Sequence, residues 1–174
     1  MAKKKKEENA PVQELFSRFG EFDSVEELNK TAEGLKEEKD FDSLKELAEE
    51  NGIEKCDVDD YINGITQELA VQITAAMGRL KVELASLDGQ AGEMCKFYAK
   101  FAEEIAIGRK DVAAGIMKKG ARIKGIYDQL YQYASKHKSG GCFCGSTTDV
   151  QDEELVIAHY TGGDITKLFE KWFQ

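Results

Sequence analysis

Ile65, Leu69, Ile73, Ala76, Leu80, Leu84 and Leu87 recur at spacings of 4-4-3-4-4-3. That period lays one apolar stripe along a helix. A strand would need alternation with period two, and no segment shows it convincingly. The stripe predicts a helix over 65–87 that faces the core of a bundle. A dimeric coiled coil is the alternative, but the stripe is short and lacks paired e and g charges. The single proline, Pro11, leaves little to interrupt helices. The expectation is an all-α protein in three parts: a disordered tail over 1–10, an acidic module of short helices over 11–64, and a bundle of longer helices over 65–174.

The first half is punctuated. Phe22-Asp23-Ser24-Val25-Glu26-Glu27-Leu28 is echoed by Phe41-Asp42-Ser43-Leu44-Lys45-Glu46-Leu47. Ser24 with Glu27, and Ser43 with Glu46, fit the capping box, and Phe22 and Phe41 are placed to staple each entering chain to the core. Gly20, Gly52 and Gly64 follow Val12–Phe19, Leu44–Asn51 and Asp57–Asn63 as left-handed stops. Four short helices are expected there. The echo occurs only twice, which excludes a solenoid array.

Charge is sorted along the chain. Residues 10–60 carry 17 Asp/Glu against 6 Lys/Arg, a net of −11, and residues 108–145 carry 8 Lys/Arg against 2 Asp/Glu, a net of +6. Such segregation suits a protein that meets charged macromolecules. With a sequence pI of about 4.9 the whole molecule would be repelled by DNA, so any DNA contact must be local. No apolar run approaches membrane-spanning length and no apolar signal segment is present, so a cytoplasmic protein with no membrane partner is expected. Cys56, Cys95, Cys142 and Cys144 follow no disulfide framework and are expected to be reduced.

Beyond Asp88-Gly89-Gln90, Met94, Tyr98, Phe101 and Ile105 mark another amphipathic helix. A helix over Lys110–Lys136 would carry Val112, Ile116, Ile123, Tyr127, Leu130 and Ala134 inward, with Gly115, Gly120 and Gly125 inside it. Each interior glycine costs about 1 kcal/mol against alanine. Either they permit close packing or a kink, the favoured reading, or they bare backbone beside Lys118, Lys119 and Arg122 for a partner. After the Cys142–Thr148 loop, helices are expected near Val150–Tyr160 and around Ile165, Leu168, Phe169 and Trp172.

Catalytic motifs do not assemble. Gly140–Thr147 has the glycine spacing of a P-loop but lacks its lysine and follows a helix. Cys142 and Cys144 with His137 and His159 match no common zinc pattern, so neither metal nor other cofactor is expected. His159 reads as a core or capping histidine, and His137, between Lys136 and Lys138, suits a helix C-terminus. With two histidines in all, no nucleophile–base set can be built, and an enzyme is not expected.

In the C-terminal third, Tyr127 on a basic-ended helix, a glycine-containing loop, and Asp152-Glu153-Glu154-Leu155-Val156-Ile157-Ala158-His159-Tyr160 resemble the C-terminal signature of the PcfK-like family. That family comprises small proteins of conjugative elements and phages. The match is to an acidic pair, an apolar stretch and Ala-x-His-Tyr, mainly within residues 121–165. The family's following acidic residues are replaced here by Thr161-Gly162-Gly163. Some members are anti-CRISPR proteins that inhibit the RNA-guided DNA nuclease of type II systems, and the Phe19–Ser24 segment also looks like the front of such accessory proteins. The resemblance implies an inhibitor acting in a bacterial host on a type II effector nuclease. Carboxylates can stand in for phosphates in the nuclease's arginine-lined channels. The densest candidates are Glu37, Glu38 and Asp40, then Asp57, Asp59 and Asp60. An ordinary solvated acidic face is the plain alternative for each of them. Lys118, Lys119, Arg122 and Lys124 could touch double-stranded DNA while the acidic half engages protein. The other function considered is a DNA-binding accessory protein of a mobile element.

Overall fold

The computed structural model describes residues 15–138 and 147–173. The expected tail over 1–10 and the Cys142/Cys144 loop lie outside these residues. Every regular element described is a helix, and no strand occurs among the described residues: α1 (Val25–Glu37), α2 (Phe41–Glu50), α3 (Lys55–Ile62), α4 (Gln72–Ala85), α5 (Gly89–Gly108), α6 (Lys110–Met117), α7 (Lys124–His137), α8 (Asp149–Thr161) and α9 (Ile165–Trp172). No described helix is long and apolar enough to cross a membrane.

The middle of the molecule is a packed set of α4, α5, α6 and α8, with α7 on α5 and α8, and α9 on α7 and α8. The helices α1, α2 and α3 pack in sequence. One hydrophobic cluster runs from Phe22 and Leu28 through Leu47, Leu80 and Tyr98 to Phe169. The acidic module therefore shares a core with the bundle. At Gly52 and Gly78 the two meet backbone on backbone. A Cβ on Gly78 would lie 2.3 Å from the Asn51 carbonyl oxygen, and one on Gly52 would lie 2.4 Å from that of Gly78. Only glycine at both positions lets the end of α2 meet α4.

Several expected boundaries move. The helix expected over 65–87 starts at Gln72, and Ile65 is 70% exposed. Gly64, at φ +75°, turns the chain out of α3. Asn29 then clasps Ala70: its side-chain amide donates to the Ala70 carbonyl at 2.8 Å and its oxygen accepts the Ala70 N–H at 3.1 Å. With both backbone groups satisfied from outside, residue 70 gains nothing from helix. Leu69 still reaches the core, at 2% exposure, from this irregular segment.

The helix expected over Lys110–Lys136 is two helices, α6 and α7, with Gly120 at φ +79° between them. Over the part of Val12–Phe19 that is described, residues 15–19 form a turn rather than a helix, with Phe16 at φ +59°. The N–H groups of Arg18 and Phe19 donate to the Glu50 carboxylate at 2.8 and 3.0 Å.

The two echoes also diverge. Ser24 caps α1 by accepting from Glu27 N–H at 3.3 Å, while the Glu27 carboxylate accepts from Asp23 N–H at 2.9 Å. The second copy is capped by Asp40 instead, which accepts from Ser43 N–H at 3.1 Å. Phe41 is thus the first helical residue and exposed, whereas Phe22 is buried. Thr148 and Gln151 complete a reciprocal capping box at α8.

Gly34 lies inside α1 with no atom within 4 Å of where its Cβ would be. Gly34→Ala is expected to stabilise the protein by about 0.5–1 kcal/mol through helix propensity alone. A urea midpoint that stays or falls would contradict this.

Candidate functional site

The two predicted acidic clusters meet at one joint. Lys36, near the end of α1, donates to the Tyr61 carbonyl at 2.5 Å and sits 4.1 Å from the Tyr61 ring centre. This ties the C-terminal end of α1 to that of α3. Burial pushes the Tyr61 phenol above its usual range, and the charges of Glu33 and Glu37 push it the same way. Glu37, Glu38 and Asp59 are exposed, and Asp60 is half-buried.

Position relative to the helix axis separates the six carboxylates. Asp40 caps α2, and Ser43, through its hydroxyl and its N–H, holds the Asp40 carboxyl below the ordinary range. Asp57 lies in the first turn of α3, where the macrodipole favours an anion. Local helix physics explains both. Glu37 is the last residue of α1, Glu38 its C-cap, and Asp59 and Asp60 lie toward the C-terminal end of α3. There the dipole opposes a carboxylate. None of these four holds an ion pair among the described residues.

The predicted cations are spread over the α6–α7 connection. Lys118 and Lys119 are exposed and hold no ion pair among the described residues. Lys124 pairs with Asp128 at 2.5 Å. Arg122 pairs with Glu21 at 3.1 Å and lies over the Phe16 ring at 5.3 Å. Two of the four thus have internal anionic partners.

Behind this connection lies a buried charge cluster that sequence reasoning missed. Arg79 of α4 is 1% exposed. It donates to Glu21 Oε1 at 2.5 Å and to the carbonyls of Phe22 and Met117 at 2.6 and 3.2 Å, with its guanidinium 4.7 Å from the Phe16 ring centre. Three carboxylates then take backbone N–H groups of the connection. Asp23 accepts from Lys119 at 2.9 Å, Glu21 from Gly120 at 3.1 Å, and Glu83 from Ile123 at 2.8 Å. The chain between α6 and α7 has no helical ladder to take these N–H groups, and the three carboxylates satisfy them.

Burial dominates the electrostatics. Glu83, 3% exposed, is pushed up to about 7 by desolvation, against the lowering effect of the Ile123 N–H and of Arg79 and Arg122. Burial also raises Glu21, but the Gly120 N–H and the two guanidiniums outweigh it and leave its carboxyl below the usual range. His159 Nε2 lies 2.8 Å from the Arg122 carbonyl, and desolvation holds the ring below its ordinary value. It is half-buried, with its ring nitrogen on a backbone carbonyl, within the core-or-capping reading of the sequence. The cluster straps residues 16–23 to α4 and to the α6–α7 connection. Its chemistry is that of a clamp: its carboxylates take backbone N–H groups and the two terminal guanidinium nitrogens of Arg79 take Glu21 and two carbonyls, while Arg79 Nε is buried with no hydrogen-bond partner among the described residues.

The signal for Arg79 was its place beside the stripe. One position before Leu80 and three after Ala76, it had to point near the core. Its acceptors are about 40 to 60 residues away, a distance no local pattern spans. No protein-family model, curated protein or solved structure matches this chain.

Proposed function

We propose that the protein is a non-enzymatic inhibitor of a type II RNA-guided DNA nuclease, acting in the bacterial cytoplasm by setting an acidic face against a cationic nucleic-acid channel. The observation that carries this reading is the placement of Glu37, Glu38, Asp59 and Asp60. They crowd the C-terminal ends of two adjoining helices, without cationic partners among the described residues and against the helix dipoles. Carboxylates that cost stability where they stand are better suited to a partner's arginines than to the fold. The C-terminal resemblance to the PcfK-like family supports the same reading. With Arg122 and Lys124 internally paired, the proposal rests on the acidic face rather than on DNA contact.

The test is cleavage of target DNA by guide-loaded nuclease at increasing amounts of the protein. Inhibition is expected from the native chain and a loss of about tenfold or more from E37K/E38K and D59K/D60K, as several charge-assisted hydrogen bonds vanish. The same variants should unfold at equal or higher urea, since cations replace anions at helix C-termini. K118E/K119E should inhibit like the native chain. Undiminished cleavage at large excess of the native protein would sink the proposal for that nuclease.

A further inference from the structure

Beside the Gly52–Gly78 contact that joins the acidic module to the bundle, the molecular surface carries a trough. This groove of about 460 Å³, with Gly52 in its lining, lies between α2, α3 and α4. Ala48, Ile53 and Val58 line its floor and are themselves buried, and Val82 and Ala85 of α4 line its wall. That volume lies in the range of small-molecule sites.

The rim is cationic, which runs against its surroundings. Lys45, Lys55 and Lys81 line the groove, with Glu49 the carboxylate among its lining residues. Two of these lysines belong to the six basic residues of the segment that carries 17 acidic ones. Lys81 pairs with Glu54 at 2.5 Å, and Lys45 approaches Asp42 only to 3.8 Å. Lys55 has no ion pair among the described residues. A ligand matched to this arrangement has an apolar body and an anionic end. We propose that the groove binds a small amphipathic carboxylate, its apolar chain on Ala48, Ile53 and Val82 and its carboxylate at Lys45 and Lys55. This site is separate from the acidic face and stands or falls without it.

Decanoate, below its micelle concentration, is the probe. Titrated into the full-length 15N-labelled chain, it is expected to shift the amides of Gly52, Ile53, Val58, Val82 and Ala85 in saturable fashion. Decanol, with the same chain and no charge, is expected to bind about tenfold or more weakly, as is decanoate to K45Q/K55Q. Ala85→Trp, at an exposed wall position, should abolish the shifts while leaving the rest of the spectrum dispersed. Absence of saturable shifts at these amides overturns the site. Equal binding of decanol and decanoate to the native chain overturns the assignment of the lysines, and that comparison needs no variant to fold.

Discussion

Replacing Arg79 by alanine is expected to lower the unfolding free energy by about 3–5 kcal/mol near pH 8, the range for breaking a buried ion pair from one side. The side chain is 1% exposed and holds Glu21 and two backbone carbonyls. Its loss leaves the Phe22 and Met117 carbonyls without that donor and Glu83 without its nearest buried cation. The pH dependence distinguishes this from loss of packing.

Glu83 titrates near 7 in the folded protein against 4.5 for the free side chain. A carboxyl raised in this way favours the fold below about 4.5, and that contribution is lost as the pH rises through 7. Without Arg79 the Glu83 value climbs further, so its charged form is penalised more at pH 8, while at pH 6 the side chain takes up a proton and escapes the cost. The loss caused by Arg79→Ala should therefore shrink between pH 8 and pH 6. Introducing Glu83→Gln beside Arg79→Ala should remove that pH dependence, because a glutamine oxygen still accepts the Ile123 N–H. Measuring native and variant in urea at each pH cancels the opposite trend from His159, whose lowered value favours the fold above about 6.5 and is lost on acidification. An equal loss at both pH values would contradict the assignment.

Gly115→Ala should destabilise by about 2–3 kcal/mol, although alanine is the better helix former by about 1 kcal/mol. A Cβ there would lie 1.9 Å from the Tyr160 carbonyl oxygen and 2.9 Å from its Cβ. Backbone cannot step aside as a side chain can, so α6 and α8 must separate along their contact. The thermal midpoint should fall, opposite in sign to Gly34→Ala, where nothing stands near. Measuring the pair in parallel separates propensity from packing.

The contrast between these glycines shows how far the sequence could be read. Apolar spacing and glycine stops were local, and they placed α1, α2, α3, α5, α8 and α9. The favoured reading of Gly115 and Gly125, close packing, agrees with their positions against Tyr160 and the His159 ring. Gly120 differs from both, since it turns the chain in the left-handed region between α6 and α7. What pulls the chain out of helix at 118–123, and again at 70, is a set of side-chain acceptors and donors from distant segments: Glu21, Asp23, Glu83 and Asn29. In the linear sequence those four residues are indistinguishable from solvated polar positions. The acidic clusters were legible as charge. Their division into capping carboxylates and dipole-opposed ones required the helix boundaries, because one residue of shift at Asp40 changes its role.

The strap over residues 16–23 also bears on how the chain acquires its fold. Glu21 and its acceptor role toward Gly120 are 99 positions apart, and its contact with Arg122 spans 101. Closing so long a span costs chain entropy that only finished packing can offset. A chain made from its N-terminus thus carries Phe16 and Glu21 without Arg79 until α4 emerges, and without Gly120 and Arg122 until the α6–α7 connection follows. In a folding experiment, then, Phe16 should be among the last aromatic rings to lose contact with water, long after Leu28 and Leu47 have found theirs.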